Sequence, residues 1–320
     1  MFLYLNYPSW IHPEIIPGFG ILRWYGLMYL VAFAVAFILF RRQAKEGLLG
    51  EKVSDDDIYG FFWWGIVGLI LGARIFSTLV YEPTGKYWRA PWLIFWPFDE
   101  NMRWTGLQGM SYHGGFIGGV LGVLLWCIKH KKNFFKWGDA LAVAIPLGYG
   151  FGRLGNFLNG ELYGRVTTNP LGMVFPQAEK FSISLPWVQE VMEKIGMNVP
   201  EGQILVNLPR HPSQLYEALF EGLILWLLLW FIFRKRKPFD GFLIGLYTIG
   251  YGTVRFFIEY LRAPDADIGY RIAVTQNPST ELFESFGNIS TGQILCFLMI
   301  VLGIAYEVVL YFLYKKKILK

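Results

Sequence analysis

Long apolar runs alternate with short polar connections along this chain. Seven of the runs reach about 20 residues, the length a helix needs to cross a bilayer. They lie near 20–40, 58–80, 112–129, 139–158, 213–233, 241–261 and 291–314. None has the strict two-residue alternation of a barrel strand, and lipid admits only helices or closed barrels, so helices are predicted. The expectation is an all-α polytopic membrane protein with seven transmembrane helices in one integral domain, 1–320. The first 19 residues lack the basic start and small-residue cleavage site of a signal peptide and read as an interfacial lead-in. Segment 159–212 is too long for a bare loop. It carries turn signals at Asn169-Pro170 and Pro176 and a helical pattern over Pro186–Gly196. A small outer head subdomain is predicted there. Residues 81–111 are rich in Trp and Pro, as an interfacial segment is.

Composition agrees with the pattern. Of 320 residues, 54% are hydrophobic and 17% charged, against about 25% charged in an average soluble domain. A disordered chain is excluded, and two cysteines exclude a disulfide scaffold. The formal charge is +5, from 29 Lys+Arg against 24 Asp+Glu. Such an excess serves nucleic acid or membrane topology, and its distribution decides which. Four basic clusters follow alternate runs: Arg41, Arg42, Lys45 and Lys52; Lys129, Lys131, Lys132 and Lys136; Arg234, Lys235, Arg236 and Lys237; Lys315, Lys316, Lys317 and Lys320. The positive-inside rule makes these segments cytoplasmic, with the N-terminus outside and the C-terminus inside. No long mixed basic stripe is present, so no nucleic-acid partner is expected.

Four arginines fall within the runs: Arg23, Arg74, Arg153 and Arg255. An arginine at mid-membrane costs about 2.5–3.5 kcal/mol on insertion scales, so something must offset it. The topology puts all four, with His113 and His211, on the outer side. Arg23 and Arg74 are expected to snorkel to the headgroups. Arg153 and Arg255 have polar neighbours instead. Tyr251, Arg255, Glu259 and Arg262 share one helical stripe, and Arg255 and Glu259 can pair at i, i+4. In the run Gly152-Arg153-Leu154-Gly155-Asn156-Phe157-Leu158-Asn159-Gly160-Glu161-Leu162-Tyr163-Gly164, Arg153 and Asn156 share a face. So many polar groups at a membrane boundary point to a functional site. The spaced glycines Gly68, Gly72, Gly114, Gly118 and Gly122 read as a helix-packing device. Ser54-Asp55-Asp56-Asp57 reads as a helix N-cap with an acidic first turn rather than a metal cluster.

No nucleotide-binding loop, dinucleotide fingerprint or metal motif occurs, so neither a cofactor nor a metal is expected. Cys127 and Cys296 lie in apolar surroundings and read as inert. Two arginines in an outward-facing site suit a phosphate, which a guanidinium grips in bidentate fashion. At a membrane boundary the simplest such group is a phospholipid headgroup.

These residues resemble a known family. Residues 152–164 meet every fixed position of the pattern G-R-x-G-N-F-x-N-x-E-x-x-G of the prolipoprotein diacylglyceryl transferases. Similar blocks are Trp24-Tyr25-Gly26-Leu27-Met28-Tyr29, His113-Gly114-Gly115, His211-Pro212-Ser213-Gln214-Leu215-Tyr216-Glu217, and Gly250-Tyr251-Gly252-Thr253-Val254-Arg255 with Glu259 and Arg262-Ala263-Pro264-Asp265. Segments 83–108 and 266–289 look longer than in the family. The resemblance implies a transferase of the bacterial inner membrane. It would move the diacylglyceryl group of phosphatidylglycerol onto the lipobox cysteine of a prolipoprotein, forming a thioether and releasing glycerol phosphate. It implies catalytic roles for His113, as base, and for Arg153 and Arg255, and lipid-binding roles for these arginines with Tyr25, Asn156, Glu161, Gly164, Tyr251 and Glu259. Displacement at an sp3 carbon requires no oxyanion hole, and charge grows on the departing phosphate, where the arginines would meet it. Two alternatives stand beside this reading. One is an anionic-lipid transporter or flippase, which forms no covalent product. The other is an intramembrane protease using Ser111.

Overall fold

The computed structural model describes residues 4–16, 18, 22–98, 101–106, 109–264 and 269–316. Residues 20 and 21 at the start of the first run, Asp265, and Lys317 and Lys320 of the last basic cluster lie outside them. In chain order the described elements are strand β1 (Leu5–Asn6), helix α1 (Trp24–Lys45), α2 (Asp55–Phe76), α3 (Tyr112–Lys129), α4 (Phe134–Leu158), strands β2 (Met173–Val174) and β3 (Phe181–Ser182), α5 (Pro186–Ile195), β4 (Leu205–Val206), α6 (Ser213–Phe233), α7 (Phe242–Ile258), β5 (Tyr270–Ile272), β6 (Ile289–Ser290) and α8 (Thr291–Lys315). The short helix Lys86–Arg89 and a 3-10 turn, Pro91–Phe95, lie between α2 and α3.

Among the described residues the protein is mostly helical, and the strands form two-stranded pairs. Five of the described helices are long and apolar enough to cross a membrane: α1, α2 with its π-helical extension to Tyr81, α3, α6 and α8. The other two runs expected to span behave differently. Helix α7 has 17 residues and is shorter than the run 241–261. Helix α4 has 25 residues, but Lys136, Asp139 and Arg153 dilute its apolar character.

The chain divides into two compact units, residues 1–40 with 139–320, and residues 41–138. In the smaller unit, α2 and α3 pack through glycine. A Cβ on Gly118 would collide with the Gly68 carbonyl and stand 2.8 Å from the Gly72 Cα, so only bare backbone permits this approach. Ser54 accepts from Asp57 N–H while the Asp57 carboxylate accepts from Ser54 N–H, the expected capping box at the start of α2. Ser111 caps α3 without a reciprocal partner, its Oγ accepting from Gly114 N–H at 3.2 Å. Phe61, Trp126 and Trp137 pack edge-on and tilted into an aromatic core, and the Trp137 indole donates to Glu51 at 2.9 Å.

Arg74 corrects an expectation. It does not snorkel outward: its side chain is buried and donates to the carbonyls of Ile94 and Gly109, with Tyr87 beneath the guanidinium. Ile94 and Gly109, both in the connection after α2, supply those acceptors, so the charge is met by backbone oxygens. Arg23 is exposed just before α1.

In the larger unit, Val143, Leu225, Leu229, Trp230 and Leu243 form the core among α4, α6 and α7. Asp139 stabilises the start of α7 from a neighbouring helix. Its buried carboxylate accepts from the N–H groups of Gly241, Leu243 and Ile244 and from Lys237 Nζ. Helix starts leave such N–H groups unpaired, and an acidic group there also meets the positive end of the helix dipole. Segment 159–212 carries a core of its own. Val166, Phe181, Val188, Val191, Ile195, Val206 and Leu208 are buried together. Helix α5 supplies three of them at helical spacing and ends at Gly196, whose φ of +65° is the left-handed cap.

Candidate functional site

Glycine sets the distance between the helices that build the site. Gly150 of α4 faces Gly222 of α6, and a Cβ on Gly222 would lie 2.7 Å from the Gly150 Cα. Three residues beyond Gly150, about one turn, comes Arg153; Glu221 directly precedes Gly222, and Glu217 lies one turn before Glu221. The close backbone contact therefore delivers a guanidinium to a carboxylate. On the other side, Gly155 faces α1. A Cβ there would stand 3.0 Å from the Met28 Cβ and 3.6 Å from the Tyr25 Cα.

Glu217 is the centre of the cluster. Its side chain is fully buried, and three arginines converge on it. Oε2 lies 2.8 Å from Arg153 Nε and 2.7 Å from Arg255 Nη1, and Oε1 accepts from Arg262 Nη1 at 3.0 Å. Glu259 lies 3.2 Å from Arg255 Nη2 and 3.7 Å from Arg262 Nε. The Arg255–Glu259 pair is the one expected at i, i+4. Tyr149 completes the group: its hydroxyl accepts from Arg153 Nε at 2.7 Å, its ring lies 4.8 Å under the guanidinium, and it meets the Tyr251 ring edge-on. Glu259 is fixed from behind by Ser290, the N-cap of α8, whose Oγ donates to it at 3.3 Å.

A second layer follows along residues 152–164. Arg153 Nη1 donates to Asn156 Oδ1 at 3.4 Å, and Asn156 Nδ2 donates to Glu161 Oε1 at 3.0 Å. Gln214 in turn donates to the Glu161 carbonyl at 2.6 Å. Tyr25 stands close enough to feel the charges of both Glu161 and Arg153, and its hydroxyl meets Tyr29 at 3.0 Å. Gly164 lies where backbone strands cross. It donates to the His211 carbonyl at 2.8 Å, and a Cβ there would collide with the Leu261 carbonyl oxygen. That crossing holds Arg262 one residue away.

The electrostatic layout is asymmetric. Glu217 has no exposure, whereas the Arg153 and Arg255 side chains keep 19% and 15%. The carboxylate holds the guanidiniums from inside, and the two arginine side chains keep part of their surface accessible. Such pre-ordering is what bidentate anion binding requires.

The structure thus gathers Arg153, Arg255, Asn156, Glu161, Tyr251 and Glu259 into one network, with Tyr25 beside it. His113 belongs to the smaller unit. It is exposed on the first turn of α3, its Nδ1 3.0 Å from the Tyr81 hydroxyl. Ser111, considered as a nucleophile, is a helix cap. Sequence reasoning on positive charge alone missed Glu217, Glu221 and Tyr149 and left Arg262 outside the site. The available signal was Glu217 and Glu221, two acids one turn apart in an otherwise apolar run. Among the described residues no group of three or more His, Cys, Asp or Glu side chains is arranged to hold a metal ion.

Comparison with known proteins agrees with the pattern in residues 152–164. The model of the family described as prolipoprotein diacylglyceryl transferase matches residues 14–309. A protein of Treponema denticola, named phosphatidylglycerol–prolipoprotein diacylglyceryl transferase, is 57% identical over 99% of this chain and 97% of its own length. The protein of that name from Treponema pallidum is 54% identical, covering 94% of each chain. That of Chlorobaculum tepidum is 42% identical over 93% of this chain and 89% of its own. With the match running from the lead-in before α1 into α8, and so through every element that builds the arginine cluster, the chain belongs to the prolipoprotein diacylglyceryl transferase family.

Proposed function

We propose that the arginine cluster around Glu217 is the phosphatidylglycerol headgroup site of a diacylglyceryl transferase. The enzyme moves the diacylglyceryl group of phosphatidylglycerol to a prolipoprotein, the transfer for which its relatives are named. The acceptor is the lipobox cysteine thiol of the signal peptide. A carbon–sulfur bond forms as the carbon–oxygen bond to phosphate breaks, and glycerol phosphate leaves. The observation that carries this reading is the convergence of Arg153, Arg255 and Arg262 on one buried carboxylate, with guanidinium edges still exposed.

The roles follow from charge. Arg153 and Arg255 bind the diester phosphate and stabilise the charge that grows on it as it departs. Asn156, Glu161, Tyr251 and Glu259 hold those arginines in place, and Tyr25 lies at the mouth of the site. Gly164 keeps the backbone crossing that positions Arg262. His113 is the base for the thiol. A free thiol of pKa about 8.5 is only a few per cent thiolate near neutral pH, so a nearby base or positive field raises the reactive fraction. The basic clusters orient a seven-pass chain with its N-terminus outside and its C-terminus in the cytoplasm. The site and the 159–212 head then face the outer side of the bacterial inner membrane.

The test is mass spectrometry of a lipobox peptide incubated with the purified enzyme and phosphatidylglycerol. A diacylglyceryl mass gain on cysteine is expected. An unmodified peptide, with lipid merely moved between leaflets, would indicate a transporter.

A further inference from the structure

Tyr149 lies just before the 152–164 pattern, yet it meets Arg153 in two ways. The spacing of i, i+4 puts both on one face of α4. The Tyr149 hydroxyl accepts from Arg153 Nε at 2.7 Å. The guanidinium carbon stands over the Tyr149 ring, 4.8 Å from its centroid. Tyr149 is itself held in place. Its hydroxyl donates to Glu217 Oε2 at 3.4 Å and also reaches the Glu221 carboxyl, both on α6. Its ring meets that of Tyr251, on α7, edge-on at 5.6 Å.

These contacts decide which edge of Arg153 can take a ligand. A guanidinium offers a bidentate acceptor either Nε with one Nη group or both Nη groups. Arg153 Nε is spent: it lies 2.7 Å from the Tyr149 hydroxyl and 2.8 Å from Glu217 Oε2. Nη1 makes only the long 3.4 Å bond to Asn156, and Nη2 makes none among the described residues. The Nη1–Nη2 edge is what remains. Arg255 differs, since its Nη1 and Nη2 lie 2.7 Å and 3.2 Å from the carboxylates of Glu217 and Glu259. The chemistry of the partner matters too. Glu217 Oε2 is already shared with Arg255. A phenol accepts from Nε and lies under the guanidinium without cancelling its positive charge.

We propose that Tyr149 is a positioning residue for the transfer, fixing Arg153 by its Nε and one face so that the Nη1–Nη2 edge meets the phosphodiester. The proposal rests on the cluster being the headgroup site. Tyr149 acts through Arg153 and not by touching lipid.

The test uses Tyr149→Leu, which removes both contacts, and Tyr149→Phe, which removes only the hydroxyl. Each is made in the wild-type and the Arg153→Lys background. Phosphatidylglycerol affinity is measured in nanodiscs of neutral phosphatidylcholine doped with phosphatidylglycerol, and kcat and KM with a lipobox peptide. In the wild-type background Leu is expected to weaken affinity about tenfold. It should lower kcat more than it raises KM for phosphatidylglycerol, because misplacing a reacting-site group by about 1 Å costs about 100-fold. Phe should fall between Leu and wild type. In the Arg153→Lys background neither change should move affinity more than about twofold, because the partner is already altered. Equal losses in both backgrounds overturn the proposal. So does a Leu variant that lowers only the melting temperature, the mark of a packing role. If the Leu variant does not fold, Phe in the two backgrounds makes the same comparison. Unchanged phosphatidylglycerol affinity in Arg153→Lys alone removes the headgroup assignment itself, whatever Tyr149 does.

Discussion

Arg255 Nη1 on α7 donates to Glu217 Oε2 on α6 at 2.7 Å, and that carboxylate has no solvent exposure. The pair ties two helices together at the point where Arg153 arrives from a third. These arginines are ordered by what lies behind them. Removing the carboxylate therefore does more than remove a charge. It leaves three guanidiniums within reach of one another.

Glu217→Gln is expected to lower stability by on the order of 3 kcal/mol, as when one partner of a buried ion pair is lost. It should also abolish ordered headgroup binding. Thermal unfolding in detergent together with the transfer assay checks both. A variant that keeps wild-type stability and turnover would remove Glu217 from the centre of the site.

Arg153→Lys is expected to lose more transfer activity than His113→Gln. Leaving-group charge must be met whether or not a base assists the thiol, and losing a preorganised donor to developing charge costs about 100-fold or more. Lysine keeps the charge but not the planar fork. Purified variants assayed on a lipobox peptide with phosphatidylglycerol decide the ranking. A greater loss in the His113 variant refutes it.

Gly164→Ala places a methyl group against the Leu261 carbonyl and 3.0 Å from the His211 Cβ. The backbone must separate there, at a cost of about 1–3 kcal/mol. Arg262 would move with it. The expected result is a lower melting temperature together with weaker phosphatidylglycerol binding. A melting temperature equal to wild type would show that the crossing is loose.

His211 makes stability depend on pH. Burial, with the nearby Arg165 charge, pushes its imidazole down to about 4, from 6.5. Its Nδ1 has no hydrogen-bond partner among the described residues. The unfolded chain then takes up a proton before the folded one does. Stability is unaffected above pH 6.5 and falls as pH drops from 6.5 towards 4. Melting temperature measured across that window should decline less in His211→Asn than in wild type. Equal declines would place the cause in other groups.

The sequence exposed the helical architecture because a bilayer imposes long apolar runs, and five of the seven runs meet the length and hydropathy a span needs. It also exposed Arg153 with Asn156 on one helix and Arg255 with Glu259 on another, because helical spacing alone puts each pair on a shared face. The capping box at Ser54 and the glycine contacts of Gly68 and Gly118 were legible for the same reason: they are local patterns with one physical meaning.

What the sequence could not display was compensation between distant segments. Arg74 reads as a snorkelling arginine until the carbonyls of Ile94 and Gly109, 20 and 35 positions on, meet it. Glu217 reads as one acid in an apolar run until Arg153, 64 positions earlier, and Arg255 and Arg262, further on, close around it. By itself the sequence determined which charges had to be offset, because an unpaired charge in an apolar helix is too costly to leave alone. Only the tertiary structure decided which group offsets which. Pairing depends on how closely helices approach, and Gly150 and Gly222 set that approach for the helices carrying Arg153 and Glu217.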